Sequence, residues 1–181
     1  MNASSDIAAT AWNSGYSSIN ELNRFLQAAQ DIEPGNQQAL YDDVVGQAYA
    51  MRAFEYFKLI SFFSADITDN SSIGVPTFTD VPGIDAQPTR DTTGETFQRI
   101  LDDISQAQNL INPGATSTTR FTQDALTAML ARIATYRQNY QRAQDFSQQL
   151  IDNHTLATPT QYQELFVNDT NGGEEVIFKL E

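Results

Sequence analysis

The stretch Gly46-Gln-Ala-Tyr-Ala-Met-Arg-Ala-Phe-Glu-Tyr-Phe-Lys-Leu-Ile-Ser-Phe-Phe63 decides the fold of this chain. Drawn as a helix, it is apolar or aromatic over more than half of its circumference, with Arg52 set among the apolar side chains. A helix that is apolar on most sides is buried, so the stretch predicts a central helix. Its start lies near Asn36, a residue type that caps helices, and a Gly74-Val-Pro76 turn follows in the next loop.

Working outward from this stretch, helical spacing of apolar residues predicts four more helices. Thr92 and Glu95 form a capping-box pattern before one of them. Two others are joined by a short turn at Gln138-Asn139, and their small residues Ala131 and Ala143 suit a tetratricopeptide-like helical hairpin. The fold is therefore predicted to be all-α and built from such hairpins, with helices at about 4–30, 36–64, 93–112, 122–138 and 140–153.

Two segments lack this spacing. Residues 65–92 contain three prolines and two glycines, and a connection of this length in a compact domain is often functional. Val176-Ile-Phe178 has the pattern of a short strand, and no partner strand is evident for it. We therefore expect the strand to belong to a larger fold, of which residues 1–181 form one partial domain.

Composition excludes several classes of function. The chain has 181 residues, enough to bury a core, and its 23 acidic and 10 basic residues give a net charge of −13. Such a surface repels nucleic acids and anionic lipids, and disfavours strongly anionic glycans. The absence of cysteine excludes disulfides, thiolate chemistry and a lipid-anchor cysteine within this chain. No signal peptide or membrane-spanning run is recognisable, so we expect either a cytoplasmic protein or a targeting segment that lies outside this chain.

No constellation of residues predicts catalysis. Glycoside hydrolysis needs two carboxylates that face each other about 5–10 Å apart, whereas neighbours on a helix point in different directions. We therefore expect solvated charges at Asp42-Asp43, Asp102-Asp103 and Glu174-Glu175. His154 is the only histidine, which excludes a multi-histidine zinc site. Asp169–Glu174 matches a calcium loop only in part and predicts a plain turn. No enzyme activity, metal or cofactor is expected.

The candidate ligand contacts lie on the long loop. Phe78 beside Asp80 offers an aromatic face and a carboxylate to a carbohydrate; alternatively, Phe78 pins the loop onto the helices. The helical aromatic residues could also stack on sugars, but their spacing favours the core: Trp12, Tyr16, Tyr49 and Tyr56. Arg52 could meet a ligand carboxylate, but an unpaired buried charge is very unfavourable, so we expect a structural arginine paired with a carboxylate or with carbonyl groups.

Six blocks of sequence, in order, resemble the SusD/RagB family of outer-membrane nutrient-binding lipoproteins. The central block is Ala48-Tyr-Ala-Met-Arg-Ala-Phe-Glu-Tyr-Phe57, which is similar to the family's signature helix. The others are Trp12…Tyr16…Ile19-Asn20, Gly74-Val-Pro76, Arg90-Asp-Thr-Thr-Gly-Glu-Thr-Phe97 with Ile100–Ile104, Phe121–Arg132 with Asn139–Ala143, and Glu174-Glu-Val-Ile-Phe178. The chain departs from the pattern at Gln47, where the family has Glu, and by an insertion between Asp66 and Pro76.

The resemblance implies a SusD-like α/α superhelix that binds a glycan or related nutrient at the cell surface and catalyses nothing. It also implies delivery to a SusC-like TonB-dependent transporter, and membrane attachment through a lipid anchor that this chain lacks. No glycan-binding residue of the family is carried over, because none is matched. The alternative is a tetratricopeptide-type scaffold that holds a peptide or protein in a groove. A hydrolase is the third reading, and no carboxylate constellation supports it.

Overall fold

The computed structural model describes residues 6–83, 85–167 and 176–178, apart from the side chains of residues 165 and 166. It divides into two compact units, Met1–Leu110 and Ile111–Glu181. The helices are α1 (Asp6–Ala29), a 3-10 turn (Gly35–Gln37), α2 (Gln38–Phe63), α3 (Thr93–Leu110), α4 (Gln123–Tyr136), α5 (Tyr140–Asn153) and α6 (Pro159–Val167). The all-α prediction is confirmed, and each of the five predicted helices begins and ends within two residues of its expected position.

In the first unit α2 is central and packs against both α1 and α3. Its inward side chains are fully buried, among them Ala53, Tyr56 and Ile60. Gly15 of α1 lies against α2, because a Cβ built at this position would come within 2.9 Å of the Leu59 side chain. The glycine that weakens α1 in isolation therefore allows it to approach α2 closely.

The second unit contains the predicted hairpin of α4 and α5. Its turn is a Schellman motif, in which Gln138 has a φ of 57° and the N–H of Asn139 donates to the Ala134 carbonyl at 2.8 Å. Asn139 then caps α5 by accepting a hydrogen bond from the N–H of Arg142. Ala131 is buried in this hairpin and Ala143 is half-buried. The hairpin prediction is therefore confirmed.

Two local predictions differ from the structure. Asn36 lies in the 3-10 turn, and α2 begins at Gln38 after Gln37, which makes no side-chain capping hydrogen bond. The turn itself reverses the chain here, with Gly35 at a φ of 54°. Residues 176–178 are not in a strand; a strand needs hydrogen bonds to a neighbouring strand, and the described residues offer it none. The turn expected at 168–173 and the pair Glu174-Glu175 lie outside the described residues.

Within the described ranges, no helix combines the length and the apolar character needed to cross a membrane.

Candidate functional site

The base of the long loop closes on itself beside the start of α3. Ile73 and Thr92 form an antiparallel bridge, and the N–H of Gly74 donates to the Asp91 carbonyl at 2.8 Å. The Asp91 carboxylate accepts from both the N–H and the hydroxyl of Thr77, at 2.7 and 2.6 Å. The two limbs of the loop are therefore tied together at their base, and the segment between them is held from both sides.

Gly74 is required at this base by close packing. A Cβ there would lie 2.6 Å from the Thr96 hydroxyl oxygen and 2.7 Å from the Thr92 carbonyl oxygen. The Gly74 carbonyl accepts from Nε of Arg90 at 2.7 Å, and the same guanidinium donates to the carbonyl of Phe63 at the end of α2. Two blocks that are distant in sequence, Gly-Val-Pro and Arg-x-Thr, therefore meet here.

The capping box that begins α3 is confirmed. The Glu95 carboxylate accepts from the N–H of Thr92 at 2.8 Å, and the N–H of Glu95 donates to the Thr92 hydroxyl at 3.2 Å. The Thr92 backbone hydrogen bond holds the pKa of Glu95 below its ordinary value. This cap fixes one end of the loop.

Above the base, α1 and α2 hold the segment 76–80 through its backbone. The Tyr56 hydroxyl accepts from the Phe78 N–H at 2.7 Å and donates to the Phe78 carbonyl at 3.1 Å. The Tyr16 hydroxyl donates to the Pro76 carbonyl at 2.8 Å. Burial raises the pKa of Tyr56 to about 12 and also raises the pKa of Tyr16. Both hydroxyls therefore keep their proton across the physiological range.

A buried ion pair lies beneath this segment. Nε and Nη2 of Arg52 donate to the two carboxylate oxygens of Asp103 at 2.7 and 2.6 Å, and Nη1 donates to Oδ1 of Asn23 at 2.7 Å. Burial alone would lower the pKa of Arg52, but the hydrogen bonds and charge of Asp103 outweigh it and raise that pKa. Burial raises the pKa of Asp103, and Arg52 opposes that rise. In the part of the chain that is described, no buried side-chain nitrogen or oxygen lacks a partner.

Two clefts of the first unit are lined in part by the segment 76–82. We call the first the aromatic cleft; its volume is about 230 Å³ and its lining includes Trp12, Tyr16, Asn20, Pro76, Phe78 and Pro82. We call the second the polar cleft; its volume is about 660 Å³ and its lining includes Gln27, Tyr49, Asp80, Arg99, Asp102 and Gln106. The first offers ring faces and the second offers hydrogen-bonding groups.

Residues 1–135 match the model of a SusD-like family described as starch-binding and associating with the outer membrane. The chain belongs to this SusD-like family. A SusD-like protein, P38, of Formosa agariphila is 28% identical over 164 residues, which cover 87% of this chain and 30% of that protein. The SusD-like chain therefore spans about a third of the length of this relative.

Solved structures show the same fold. A SusD superfamily protein of Bacteroides thetaiotaomicron aligns with a TM-score of 0.84 at 24% identity, over 93% of this chain and 38% of that one. A laminarin-binding SusD-like protein aligns with a TM-score of 0.75 at 18% identity, over 93% of this chain and 36% of that one. At these identities the likeness concerns the fold of the SusD-like chain.

The structure places the two candidate contacts of the SusD-like chain in different clefts. Phe78 is half-buried in the aromatic cleft, where its ring meets the Tyr16 ring edge-on at 6.1 Å between centroids. Asp80 is exposed at the polar cleft. The backbone of Phe78 fastens the loop to Tyr56, as the pinning alternative predicts, while its ring lines a cleft.

The other aromatic residues divide between core and clefts. Tyr56 is fully buried, as its helical spacing predicts. Trp12 and Tyr16 are half-buried in the aromatic cleft, and Tyr49 is half-buried in the polar cleft. For these three the core prediction was wrong in part, because each is only half-buried and also lines a cleft.

Sequence reasoning missed two polar residues of the site. Asp103 was grouped with Asp102 as a solvated charge, but its side chain is 1% exposed and paired with Arg52. The burial of Asp103 could have been predicted from its position, because it lies between Ile100 and Ala107 on the apolar face of α3. Asn23 is also 1% exposed, and it lies on the apolar face of α1 between Ile19 and Leu26. A polar residue at a core position of a helix predicts a buried partner.

The remaining polar candidates lie away from the clefts. In the second unit, Nε2 of His154 lies 2.8 Å from Oδ2 of Asp124, which ties the end of α5 to the start of α4. Asp42 and Asp43 are half-buried on α2, and Asp42 accepts a hydrogen bond from Gln38. Over residues 6–83, 85–167 and 176–178, no group of three or more His, Cys, Asp or Glu side chains is arranged to hold a metal ion.

Proposed function

We propose that this SusD-like chain is part of a protein that binds an oligosaccharide or related nutrient at the bacterial outer-membrane surface and releases it unchanged. The family is described as starch-binding and outer-membrane-associated, and one structural neighbour binds laminarin. Delivery to a SusC-like TonB-dependent transporter follows as part of the same proposal. Attachment to the membrane would use a lipid anchor outside this chain.

The aromatic cleft is the observation that carries the proposal. Trp12 and Tyr16 lie one helical turn apart on α1 with ring centroids 4.8 Å apart, and Phe78 lines the same cleft. The apolar C–H face of a pyranose ring packs on such side chains, while an amide such as that of Asn20 can bind a hydroxyl. These groups suit a neutral sugar, in agreement with the acidic surface of the chain.

Asp80 gives the proposed site its polar side. Its exposed carboxylate has two oxygens, which can accept hydrogen bonds from neighbouring sugar hydroxyls. Since Phe78 and Asp80 line different clefts, a ligand that contacts both must extend from one cleft to the other. This arrangement favours an oligosaccharide of several units over a single sugar.

Binding without turnover agrees with the state of the buried carboxylate in the polar cleft. Asp103 is buried and held by two hydrogen bonds from Arg52, so it is not available to transfer a proton to a ligand. Asp102 accepts a hydrogen bond from Gln98 at 2.7 Å on the same helix. We propose that Arg52 and Asp103 are structural, and that residues 1–181 correspond to part of one SusD-like domain.

A panel of neutral and anionic polysaccharides tests the proposal. Affinity gel electrophoresis of the wild type, Phe78→Ala and Asp80→Ala, with product analysis of each incubation, is expected to give neutral-glycan binding that both substitutions weaken and no shortened glycan. Exposed Tyr162 of α6 in the other unit provides the control Tyr162→Ala. Glycan cleavage that a carboxylate substitution abolishes would overturn the proposal. Failure to bind any glycan, with capture of a peptide instead, would favour the scaffold.

The transporter part of the proposal needs a separate measurement. Co-purification of the tagged full-length protein from detergent-solubilised outer membranes is expected to bring down a TonB-dependent transporter. A full-length protein that binds glycan and is recovered without any such transporter would contradict delivery while leaving glycan binding intact.

A further inference from the structure

We propose that Asn23 is a positioning residue whose side-chain amide connects the buried Arg52–Asp103 ion pair to the segment 78–80. By this connection it fixes the backbone that presents Phe78 and Asp80. The consequence for ligand binding rests on the proposed function, whereas the effect on the loop does not.

Both the oxygen and the nitrogen of the Asn23 amide make hydrogen bonds. The donor or acceptor character of each partner determines which of these two atoms faces it. Oδ1 accepts from Nη1 of Arg52 at 2.7 Å, while Nδ2 lies 2.9 Å from the Asp80 carbonyl and 3.4 Å from the Phe78 carbonyl. A guanidinium has only donors and a carbonyl has only acceptors. Reversing the amide would therefore place donors against donors and acceptors against acceptors.

The amide cannot rotate because its partner cannot move. Two charge-assisted hydrogen bonds to Asp103 fix the plane of the Arg52 guanidinium, and the two side chains are 3% and 1% exposed. Asp103 of α3 binds Arg52 of α2, Arg52 binds Asn23 of α1, and Asn23 binds the loop. The position of the Asp80 carbonyl, 57 residues from Asn23, is thereby set by three helices.

Only an amide of this length satisfies every partner. Aspartate has the same shape, but it lacks the donor and would place a negative charge against two carbonyl oxygens. Alanine or leucine would leave an Arg52 N–H and the loop carbonyls unpaired, which is unfavourable in a buried site. Glutamine would carry the amide one methylene too far into a packed interior.

Tyr56 is a second, separate anchor. Its hydroxyl binds the N–H and carbonyl of Phe78, whereas Asn23 also reaches Asp80. Loss of the Tyr56 hydroxyl is therefore expected to loosen the backbone mainly at residue 78. Loss of the Asn23 donor is expected to loosen residues 78–80 together.

A double variant that exchanges the residue types at positions 23 and 103 keeps the buried charge. It therefore separates the effect of Asn23 on the loop from its effect on stability. In Asn23→Asp/Asp103→Asn the buried site keeps one carboxylate beside Arg52, but residue 23 can no longer donate to the loop. We expect the double variant to melt closer to the wild type than Asp103→Asn does. Hydrogen exchange at the Phe78 amide, which still donates to Tyr56, should nevertheless accelerate by about tenfold, because loss of the Asn23 hydrogen bonds to the Phe78 and Asp80 carbonyls lets the segment open more often. Asn13→Asp makes the same change at an exposed position of α1 and should leave this exchange rate unchanged.

Wild-type protection over residues 77–81 in the double variant would overturn the inference. If that variant does not fold, exchange of the side-chain NH₂ protons of Asn23 in the wild type decides the matter: slow exchange supports the inference, and exchange as fast as that of Asn13 contradicts it. With a glycan identified by the panel, a loosened loop should weaken binding. A loosened loop with unchanged affinity would leave Asn23 as a positioning residue and would contradict the proposed role of the segment 78–80.

Discussion

Replacing Arg52 with methionine is expected to destabilise the first unit strongly. The Arg52 and Asp103 side chains are 3% and 1% exposed and are joined by hydrogen bonds of 2.6 and 2.7 Å. Arg52→Met would leave the buried Asp103 carboxylate without its hydrogen-bonded counter-charge, with Nη1 of Arg99 at 3.9 Å as the remaining cation. Breaking a buried ion pair in this way typically costs about 3–5 kcal/mol. For a chain of this size each kcal/mol lowers the melting temperature by about 2–4 °C, so the expected decrease is roughly 6–20 °C.

The assay can be restricted to the unit that contains the ion pair. Trp12 is the only tryptophan and lies in that unit, so its fluorescence during thermal or urea unfolding reports on the first unit. Lys58→Met on the same helix is the matched control, because Lys58 pairs with Glu55 at 3.0 Å but is 49% exposed. The control should lower stability by clearly less than Arg52→Met does, because the Lys58 side chain is half exposed, although its partner Glu55 is buried.

A double variant tests the physical reason. Arg52→Met/Asp103→Leu removes both buried charges together, so it should recover part of the loss. About 1–3 kcal/mol should remain, because Oδ1 of Asn23 loses its donor. The reasoning is refuted if Arg52→Met is no more destabilising than Lys58→Met, or if the double variant is less stable than the single one.

Three further predictions concern the loop base and the hairpin turn. Gly74→Ala should destabilise by about 1–3 kcal/mol in urea unfolding, because its Cβ would overlap the start of α3, whereas Gly83→Ala has open space and should be near neutral. Gln138→Gly should raise the melting temperature of the second unit, because glycine adopts the φ of 57° at this position without steric strain. The expected gain in stability is about 1 kcal/mol, and an unchanged melting temperature would contradict the presence of strain at this residue. By NMR titration the pKa of Glu95 should lie below its ordinary value and rise part of the way back in Thr92→Ala, which removes the hydroxyl but keeps the backbone N–H that donates to Glu95. Because the pKa of Glu95 is lower in the folded state, this cap stabilises α3 at pH values above the ordinary carboxyl pKa. The stabilisation is lost as the pH falls through the lowered pKa. Identical titration curves of Glu95 in the wild type and Thr92→Ala would contradict this role of the cap.

Periodicity was sufficient to predict α1 to α5, because each depends on residues a few positions apart, but it did not predict the short helix α6. The central position of α2 followed from its nearly continuous apolar surface, and Arg52 had to have a partner once it was placed inside. The identity of that partner required tertiary structure. Asp102 and Asp103 were expected to point in different directions, but both were expected to be solvated, whereas Asp103 lies on the buried face of α3.

The site was harder to predict than the fold, because its contacts are long-range and involve the backbone. Tyr56 meets Phe78 across 22 residues and Asn23 meets Asp80 across 57. No local pattern specifies such pairs. The sequence identified Phe78 and Asp80 as candidates, but only the structure assigned them to separate clefts.

The central claim is that the segment 78–80 carries ligand contacts of an oligosaccharide-binding protein. The most direct test is calorimetric titration of the wild type and Phe78→Ala with whichever neutral oligosaccharide the panel identifies, with hydrogen exchange confirming that both fold alike. We expect Phe78→Ala to weaken binding about tenfold or more, since stacking of a ring on an aromatic side chain contributes about 1 kcal/mol beyond the area it buries. Equal affinities for two equally folded proteins would contradict the claim.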